Sequence, residues 1–344
     1  MHNILTKTAK QLRRFVCNTT NEFTLPVLIY FARLLMPLAR KDAAENIHIE
    51  TFRKFLAERR DARNNGKESL GELLYRLERN LDAESCYAVE RYLLREFTII
   101  EAERAACIYT GSNWKRWRDE QEICESKELK QRRCSYLDLN DNGIVFLPPD
   151  IQNGLAGKDF LDCGSYTGDS LPVLQKYKPS VIYAFEPDKN IFSILIENCR
   201  KNGWSNVVPV AKGIAECSKT VSFNAAANSA STVLDGRLNG TSARANQQTE
   251  IECIDIDRFC HENNVNPGCI KMDIEGLESA AIHGAAETIK KFKPVLLISI
   301  YHTPDDFFGI KPFIEDLNLG YRFLIRKLSP KRLDAETMLI GWVP

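Results

Sequence analysis

Asp273 and Glu275 stand one residue apart at the end of a stretch, Ile270 to Glu275, whose first part alternates apolar and polar residues. Asn266-Pro267-Gly268 precedes it and Gly276 follows, the pattern of a short strand feeding a helix. In an open parallel sheet the carboxyl ends of the strands form the ligand crevice, so both acids would face whatever binds there. Read alone, the pair serves equally well as a helix cap and a partner for the helix dipole. A second stretch, Asp162-Cys163-Gly164-Ser165-Tyr166-Thr167-Gly168, follows the apolar residues Phe160 and Leu161 and opens a helix. Gly164 lets a ligand approach the backbone, and helix-terminal amides there suit a carboxylate or other anionic group. Glu186 lies 22 positions after Gly164, at the end of the apolar run Val181 to Phe185. A carboxylate at that strand tip can accept hydrogen bonds from both ribose hydroxyls of an adenosine cofactor. Ser165 to Thr167 separate the two glycines, so the GxGxxG fingerprint is absent and a cofactor without a phosphate fits better than a dinucleotide. His302 follows the apolar run Pro294 to Ile300, and its ordinary pKa suits a general base, with Asp273 or Glu275 to orient it. The same imidazole would serve equally to brace the loop Thr303 to Phe308, and Lys271 and Glu275 could form a structural ion pair.

The elements needed to position these residues alternate in the order a doubly wound α/β sheet requires. Strands are expected at Phe160–Cys163, Val181–Phe185, Val207–Ala211, Ile270–Met272 and Pro294–Ile300, with helices at Leu171–Tyr177 and Ile191–Asn202. Lys219–Phe223 and Thr249–Ile254 read as two more strands, separated by a polar stretch, Ala225 to Gln248, that fits a mobile loop. Tyr321–Ile325 and Thr337–Ile340 read as a terminal strand pair. Upstream, Tyr136–Leu139 and Ile144–Leu147 read as short strands around an Asp-Asn-Gly turn, with a domain boundary at about residue 135.

Residues 1–135 read as an all-α N-terminal domain. Asp42 to Arg133 has no proline, and Leu70, Leu73, Leu74, Leu77 and Leu81 recur at helical spacing. Breaks fall at Asn64-Asn65-Gly66 and Thr110 to Asn113. The run Trp114 to Arg118 mixes cations with aromatics, but interleaved acids favour a solvated face over a nucleic-acid surface. The basic, amphipathic start, with Phe23 to Leu38 interrupted by Pro26, Arg33 and Pro37, fits neither a transmembrane helix nor a signal peptide. Packing on its own domain is favoured over peripheral contact with a membrane surface, and self-association through the helical domain stays open.

Lysines and arginines number 46 against 46 aspartates and glutamates, so no global field attracts nucleic acid or an anionic membrane. Eleven cysteines, an odd number without a CxxC pair, indicate reduced thiols and a cytoplasmic protein. Five dispersed histidines give metal binding little support, and Asp273 with Glu275 lacks an identifiable third ligand.

Asp162-x-Gly-x-x-x-Gly168-Asp169-Ser170, Tyr183-Ala184-Phe185-Glu186-Pro187-Asp188 and Lys271-Met272-Asp273-Ile274-Glu275-Gly276, in that order, resemble the FkbM-family methyltransferases, a branch of the class I S-adenosylmethionine-dependent enzymes. The resemblance extends over roughly residues 136–344. It implies a mostly parallel seven-stranded Rossmann-like sheet with its last strand antiparallel. It also implies methyl transfer from S-adenosylmethionine to a hydroxyl of a sugar, glycolipid or other small metabolite. Carried over by position, Gly164, Ser165 and Gly168 would shape the methionine end, Asp162 would orient the loop or the cofactor's amino group, and Glu186 would hold the ribose. Adenine is expected near Ala211-Lys212, and His302 and Asp273 are the expected catalytic residues. Family members commonly place Ala-Asn where this chain has Ser165-Tyr166. An NAD-dependent oxidoreductase on a similar sheet and an inactive interaction scaffold are the alternatives.

Overall fold

The computed structural model describes residues 54–55, 58, 67–98, 140–224, 232–233, 248–328 and 336–344. The expectations for residues 1–53, for the breaks at 64–66 and 110–113, for Trp114 to Arg118 and for a strand at 136–139 fall outside these residues.

The strands are β1 (Asp159–Cys163), β2 (Ile182–Phe185), β3 (Val207–Val210), β4 (Gly213–Ile214), β5 (Lys219–Asn224), β6 (Thr232–Val233), β7 (Gln248–Ile254), β8 (Pro267–Met272), β9 (Val295–Ser299), β10 (Arg322–Lys327) and β11 (Thr337–Trp342). The main sheet has seven strands in the order β10-β11-β9-β8-β1-β2-β3. Every pairing from β3 to β9 is parallel, and only β11 runs antiparallel to its neighbours. This is the mostly parallel seven-stranded sheet that the motifs imply. β4, β7, β5 and β6 form a second, smaller sheet, so the expected strands at 219–223 and 249–254 pair with each other beside the main sheet.

The helices are α1 (Leu70–Glu78), α2 (Ala83–Thr98), α3 (Pro149–Asn153), α4 (Leu171–Gln175), α5 (Lys189–Asn202), α6 (Ile256–Asn263), α7 (Glu278–His283), α8 (Ala286–Phe292) and α9 (Pro304–Asp316). Local chemistry sets their ends. Asp188 caps α5 by accepting from the Asn190 and Ile191 amides, and Gly203, at φ 66°, closes it. Ser69 and Glu72 form a reciprocal capping box on α1.

Side chains of the central strands alternate between two apolar cores. Leu161, Cys163, Ile270 and Met272 enter one, while Phe160 and Cys269 enter the other. All five residues of β9 are buried, as expected of a strand covered on both faces. The first core continues into the N-terminal helices through Leu73, Leu77, Val89, Tyr92 and Leu93. Tyr92 stacks on Phe307 with ring centroids 3.8 Å apart. Ser85 in α2 accepts the Ile325 amide at 2.8 Å and so covers the otherwise open edge of β10. α1 and α2 are helical, as periodicity predicts, but they share a core with the sheet.

The expected strand at Ile144–Leu147 is not formed. Asp141–Phe146 is a 3-10 turn in which Asn142 (φ 53°) and Gly143 (φ 93°) are left-handed. Its Ile144 is buried in the core that also contains Phe160 and Ile340, and a Cβ on Gly143 would lie 2.9 Å from Ile340. The Asp-Asn-Gly signal marks a real turn, but one that plugs the sheet's end instead of joining two strands.

Candidate active site

β1 and β8 are adjacent, and their register sets Asp162 beside Lys271. Lys271 Nζ lies 3.0 Å from Asp162 Oδ1 and donates to the Gly164 carbonyl at 2.9 Å. Burial pulls the ammonium down, yet Asp162, Asp273 and Asp169 together hold it above its ordinary value. Lys271 thus pairs with Asp162, not with Glu275. Asp162 is fully buried and braces the loop through this pair.

The loop after β1 is pinned to the tip of β2: the Gly164 and Ser165 amides both donate to the Phe185 carbonyl, at 3.2 and 2.9 Å. The Ser165 hydroxyl donates to the Asp162 carbonyl at 2.9 Å and so shapes the loop. The Gly164 and Ser165 amides are thus used within the fold, while the amides that the sequence reading offers to an anion are those at the start of the following helix. Gly164 has φ 81°, and a Cβ there would collide with the backbone carbonyl of Asp273. Only glycine lets the β1 loop and the β8 exit pass this closely. Gly168, at φ 86°, packs against Leu171 and Leu195 in the same way. The remaining left-handed residue in the loop is Tyr166, at φ 48°.

Glu186 extends from the tip of β2, its Oε1 accepting the Asp188 amide at 2.8 Å. Burial raises its carboxyl to about 7, against the backbone donors of Asp188 and Tyr166. A buried carboxyl held this high is stabilised as an anion by any ligand that brings it hydroxyl donors. A ribose is such a ligand, so the residues at the β1 and β2 tips fit an adenosine-type cofactor. At the proposed adenine position Lys212 forms an exposed pair with Glu252 at 3.3 Å, which leaves the adenine partners unassigned.

The exits of β8 and β9 bring Asp273, Glu275 and His302 together, as the sequence reading expects. His302 Nε2 is 3.6 Å from both Asp273 Oδ1 and Glu275 Oε2. Its Nδ1 donates to Glu278 Oε1 at 2.9 Å. Glu278 is fully buried and also receives the Ile274 and Gly276 amides at 2.7 and 2.9 Å. Burial opposes its charge, but His302 and these donors hold its carboxyl below the usual range. For His302 burial acts downward, and the carboxylates of Glu278, Asp273 and Glu275 outweigh it and raise the imidazole to about 10. A base chosen on the ordinary histidine pKa thus already holds its proton in this setting. Burial raises Glu275 and Glu336 to about 7 each. Asp306, beside Glu278, is pushed up by burial and by the Glu278 charge. Its carboxylate accepts from the Ser279 amide and the Thr303 hydroxyl, joining α7 to the start of α9.

Glu278 is the participant that sequence reasoning missed. It looks like an ordinary acid in the first turn of a helix, and nothing in its spacing reveals that it turns inward to His302. It joins Asp273 and His302 rather than the Asp273–Glu275 pair, and these three offer donor atoms within 4.8 Å of one another among the described residues.

Comparison with known proteins agrees with this geometry. The methyltransferase FkbM domain profile matches residues 162–323. A methyltransferase FkbM from Methylobacillus flagellatus is similar in structure at a TM-score of 0.52 and 20% identity, over 83% of this chain and 60% of that one. This chain therefore spans less than two thirds of that protein. A precorrin-6y C5,15-methyltransferase from Geobacter metallireducens (TM-score 0.35, 12% identity) covers 60% of this chain and 88% of its own. An rRNA methylase from Streptococcus thermophilus (0.34, 9%) covers 57% and 93%. No curated protein matches the chain. The strand order, the ordered motifs and the profile agree, and residues 162–323 carry a methyltransferase FkbM domain.

Proposed function

We propose that the chain is an S-adenosylmethionine-dependent O-methyltransferase acting on a hydroxyl of a sugar, glycolipid or other small metabolite. The observation that carries this reading is the buried Glu186 at the β2 tip, with a carboxyl near 7, beside a glycine loop pinned to the same strand. S-adenosylmethionine, when bound, supplies a methyl group on a sulfonium sulfur. Glu186 holds the ribose, and the loop at Gly164 and Gly168 accommodates the methionine end. The acceptor enters on the β8–β9 side, where Asp273 and the protonated His302 orient its hydroxyl in line and Asp273 receives its proton. Transfer would break the methyl carbon–sulfur bond as the carbon–oxygen bond forms and would yield S-adenosylhomocysteine and a methyl ether.

Calorimetric titration with S-adenosylmethionine and S-adenosylhomocysteine tests the cofactor, and Glu186→Ala should weaken both. Well-folded protein that binds neither compound would overturn the proposal. Methyl transfer from labelled cofactor to a panel of glycans and glycolipids then identifies the acceptor class.

A further inference from the structure

His302 is anchored at one nitrogen and unsatisfied at the other. Its Nδ1 donates to Glu278 Oε1 at 2.9 Å, and Glu278 is in turn held by the Ile274 and Gly276 amides. The carboxylates around the ring keep it charged, so Nε2 carries a proton as well. Nε2 lies 3.6 Å from Asp273 Oδ1 and 3.6 Å from Glu275 Oε2. A charge-assisted N–H···O bond would close to about 2.7–2.9 Å, so neither carboxylate accepts from it. Only 7% of the His302 side chain is exposed, and Asp273 Oδ1 is buried without a hydrogen-bond partner among the described residues. A buried donor and a buried acceptor thus face a gap that neither closes.

The atoms around the gap decide what can fill it. A group placed there must accept from the imidazolium N–H and donate to a carboxylate. A hydroxyl does both, since it carries one donor and two acceptor lone pairs. An ammonium offers donors alone and would meet the imidazolium charge, whereas a phosphate or carboxylate offers acceptors alone and would meet Asp273 and Glu275. The spacing agrees, because an oxygen about 2.8 Å from each partner spans a separation of 3.6 Å. One hydroxyl has a single proton and can serve only one of the two carboxylates, so a second hydroxyl beside it completes the set, with the N–H shared between the two oxygens. Glu275 is held in place for that second contact. Its φ of 58° is a strained conformation for glutamate, and the adjoining Gly276 lies against the Thr303 and His302 side chains.

We propose that the methyl acceptor is a 1,2-diol on a sugar ring, with one hydroxyl held between Asp273 and His302 Nε2 and its neighbour between His302 and Glu275. Glu275 is then the residue that reads the neighbouring hydroxyl, and Glu278 is the positioning residue that fixes His302. The hydroxyl at Asp273 passes its proton to that carboxylate as its oxygen takes the methyl carbon from the sulfonium, which leaves as the thioether. The neighbouring hydroxyl keeps its proton. This deepens the methyltransferase reading and rests on it for the transfer step, though not for recognition of the diol.

The test uses the full chain, labelled S-adenosylmethionine and a panel of methyl hexopyranosides, each paired with counterparts that lack one hydroxyl. Removing the hydroxyl beside the methylated one should lower kcat/KM at least about tenfold, short of the roughly 10⁴-fold of a fully enclosed hydroxyl site because Glu275 is partly exposed. Glu275→Gln, an isosteric change, should shrink that preference to about threefold or less through KM, whereas a purely structural role would lower transfer to both sugars alike. The NMR signal of the His302 Nε2–H reports recognition without turnover, and it should shift with a diol glycoside and not with its deoxy counterpart. Equal transfer to diol and deoxy sugars, an unchanged preference in Glu275→Gln, or neither transfer nor a shift with any diol overturns the inference. S-adenosylhomocysteine titration of the same samples separates the two readings. Cofactor binding without diol preference overturns the diol site alone, whereas a diol-specific shift at His302 without cofactor binding supports the site and overturns the methyltransferase reading.

Discussion

Lys271 stands directly opposite Asp162 across the β1–β8 ladder, and its ammonium joins that carboxylate to the Gly164 carbonyl. The pair is almost completely shielded from water, with side chains 4% and 0% exposed. Removing one member leaves an uncompensated charge between two central strands. Asp162→Ala or Lys271→Ala should each cost about 3–5 kcal/mol. The double variant Asp162→Ala/Lys271→Ala should lose less than the sum of the two single changes. Urea denaturation of the set checks this, and simple additivity would show that the two groups do not act as a pair.

Gly164→Ala combines a left-handed backbone with a collision against the Asp273 carbonyl. Strain of the backbone alone is about 1–3 kcal/mol, and displacement of the β8 exit adds to it. The variant should show a lowered Tm together with loss of cofactor affinity. A normal Tm and normal affinity would refute the close approach of loop and strand.

Tyr166 occupies a left-handed position that asparagine adopts more easily. Tyr166→Asn should stabilise the ligand-free protein by up to about 1 kcal/mol. If thermal unfolding instead shows a loss, the tyrosine ring contributes contacts that outweigh its backbone strain.

The carboxyl of Glu186 is raised from 4.5 to about 7 by burial. Its favourable contribution to folding is present below its unfolded value and lost as pH rises through about 7. A ligand donating ribose hydroxyls favours the carboxylate, so S-adenosylmethionine should bind more tightly at pH 8 than at pH 6 and release a proton near pH 7. Calorimetry at pH 7 in phosphate and in Tris should give different apparent enthalpies, and Glu186→Gln should remove the difference. Equal enthalpies for the wild type would rule out Glu186 as the coupled group.

Ser85 satisfies the Ile325 amide at the edge of the sheet. Ser85→Ala should cost about 1–3 kcal/mol by leaving that buried donor unpaired. A chain starting at Tyr136 would lose Ser85 and also uncover Phe307, which stacks on Tyr92. Light scattering should show it associating, and a monodisperse, stable monomer would contradict the shared core.

The main sheet is legible in the sequence because its buried strands are short apolar runs ending at chemically distinctive residues. Gly164, Glu186, Asp273 and His302 all sit at strand exits, which the alternation of elements alone suffices to locate. Glu278 and Asp306 are not legible in that way, since their partners arrive from other elements through side-chain rotation and leave no periodicity in the chain. The turn at Asn142-Gly143 is visible as a turn, but whether its flanks extend into strands depends on Ile340, almost two hundred residues later. His302 shows the limit for electrostatics: residue type supplies the ordinary pKa, while three carboxylates assembled by the fold decide its charge.

β11 follows β10 in the chain yet lies inside it in the sheet, between β10 and β9. During synthesis, β10 therefore emerges before its neighbouring strand in the sheet and is joined to the sheet only when β11 inserts beside β9. α1 and α2 are made long before, and the Ser85–Ile325 bond must bridge 240 residues. Until then Leu77, Val89 and Tyr92 have no sheet or α9 to cover them. Such long-range closure is slow, so the apolar face these two helices turn to the sheet waits for that partner through most of translation.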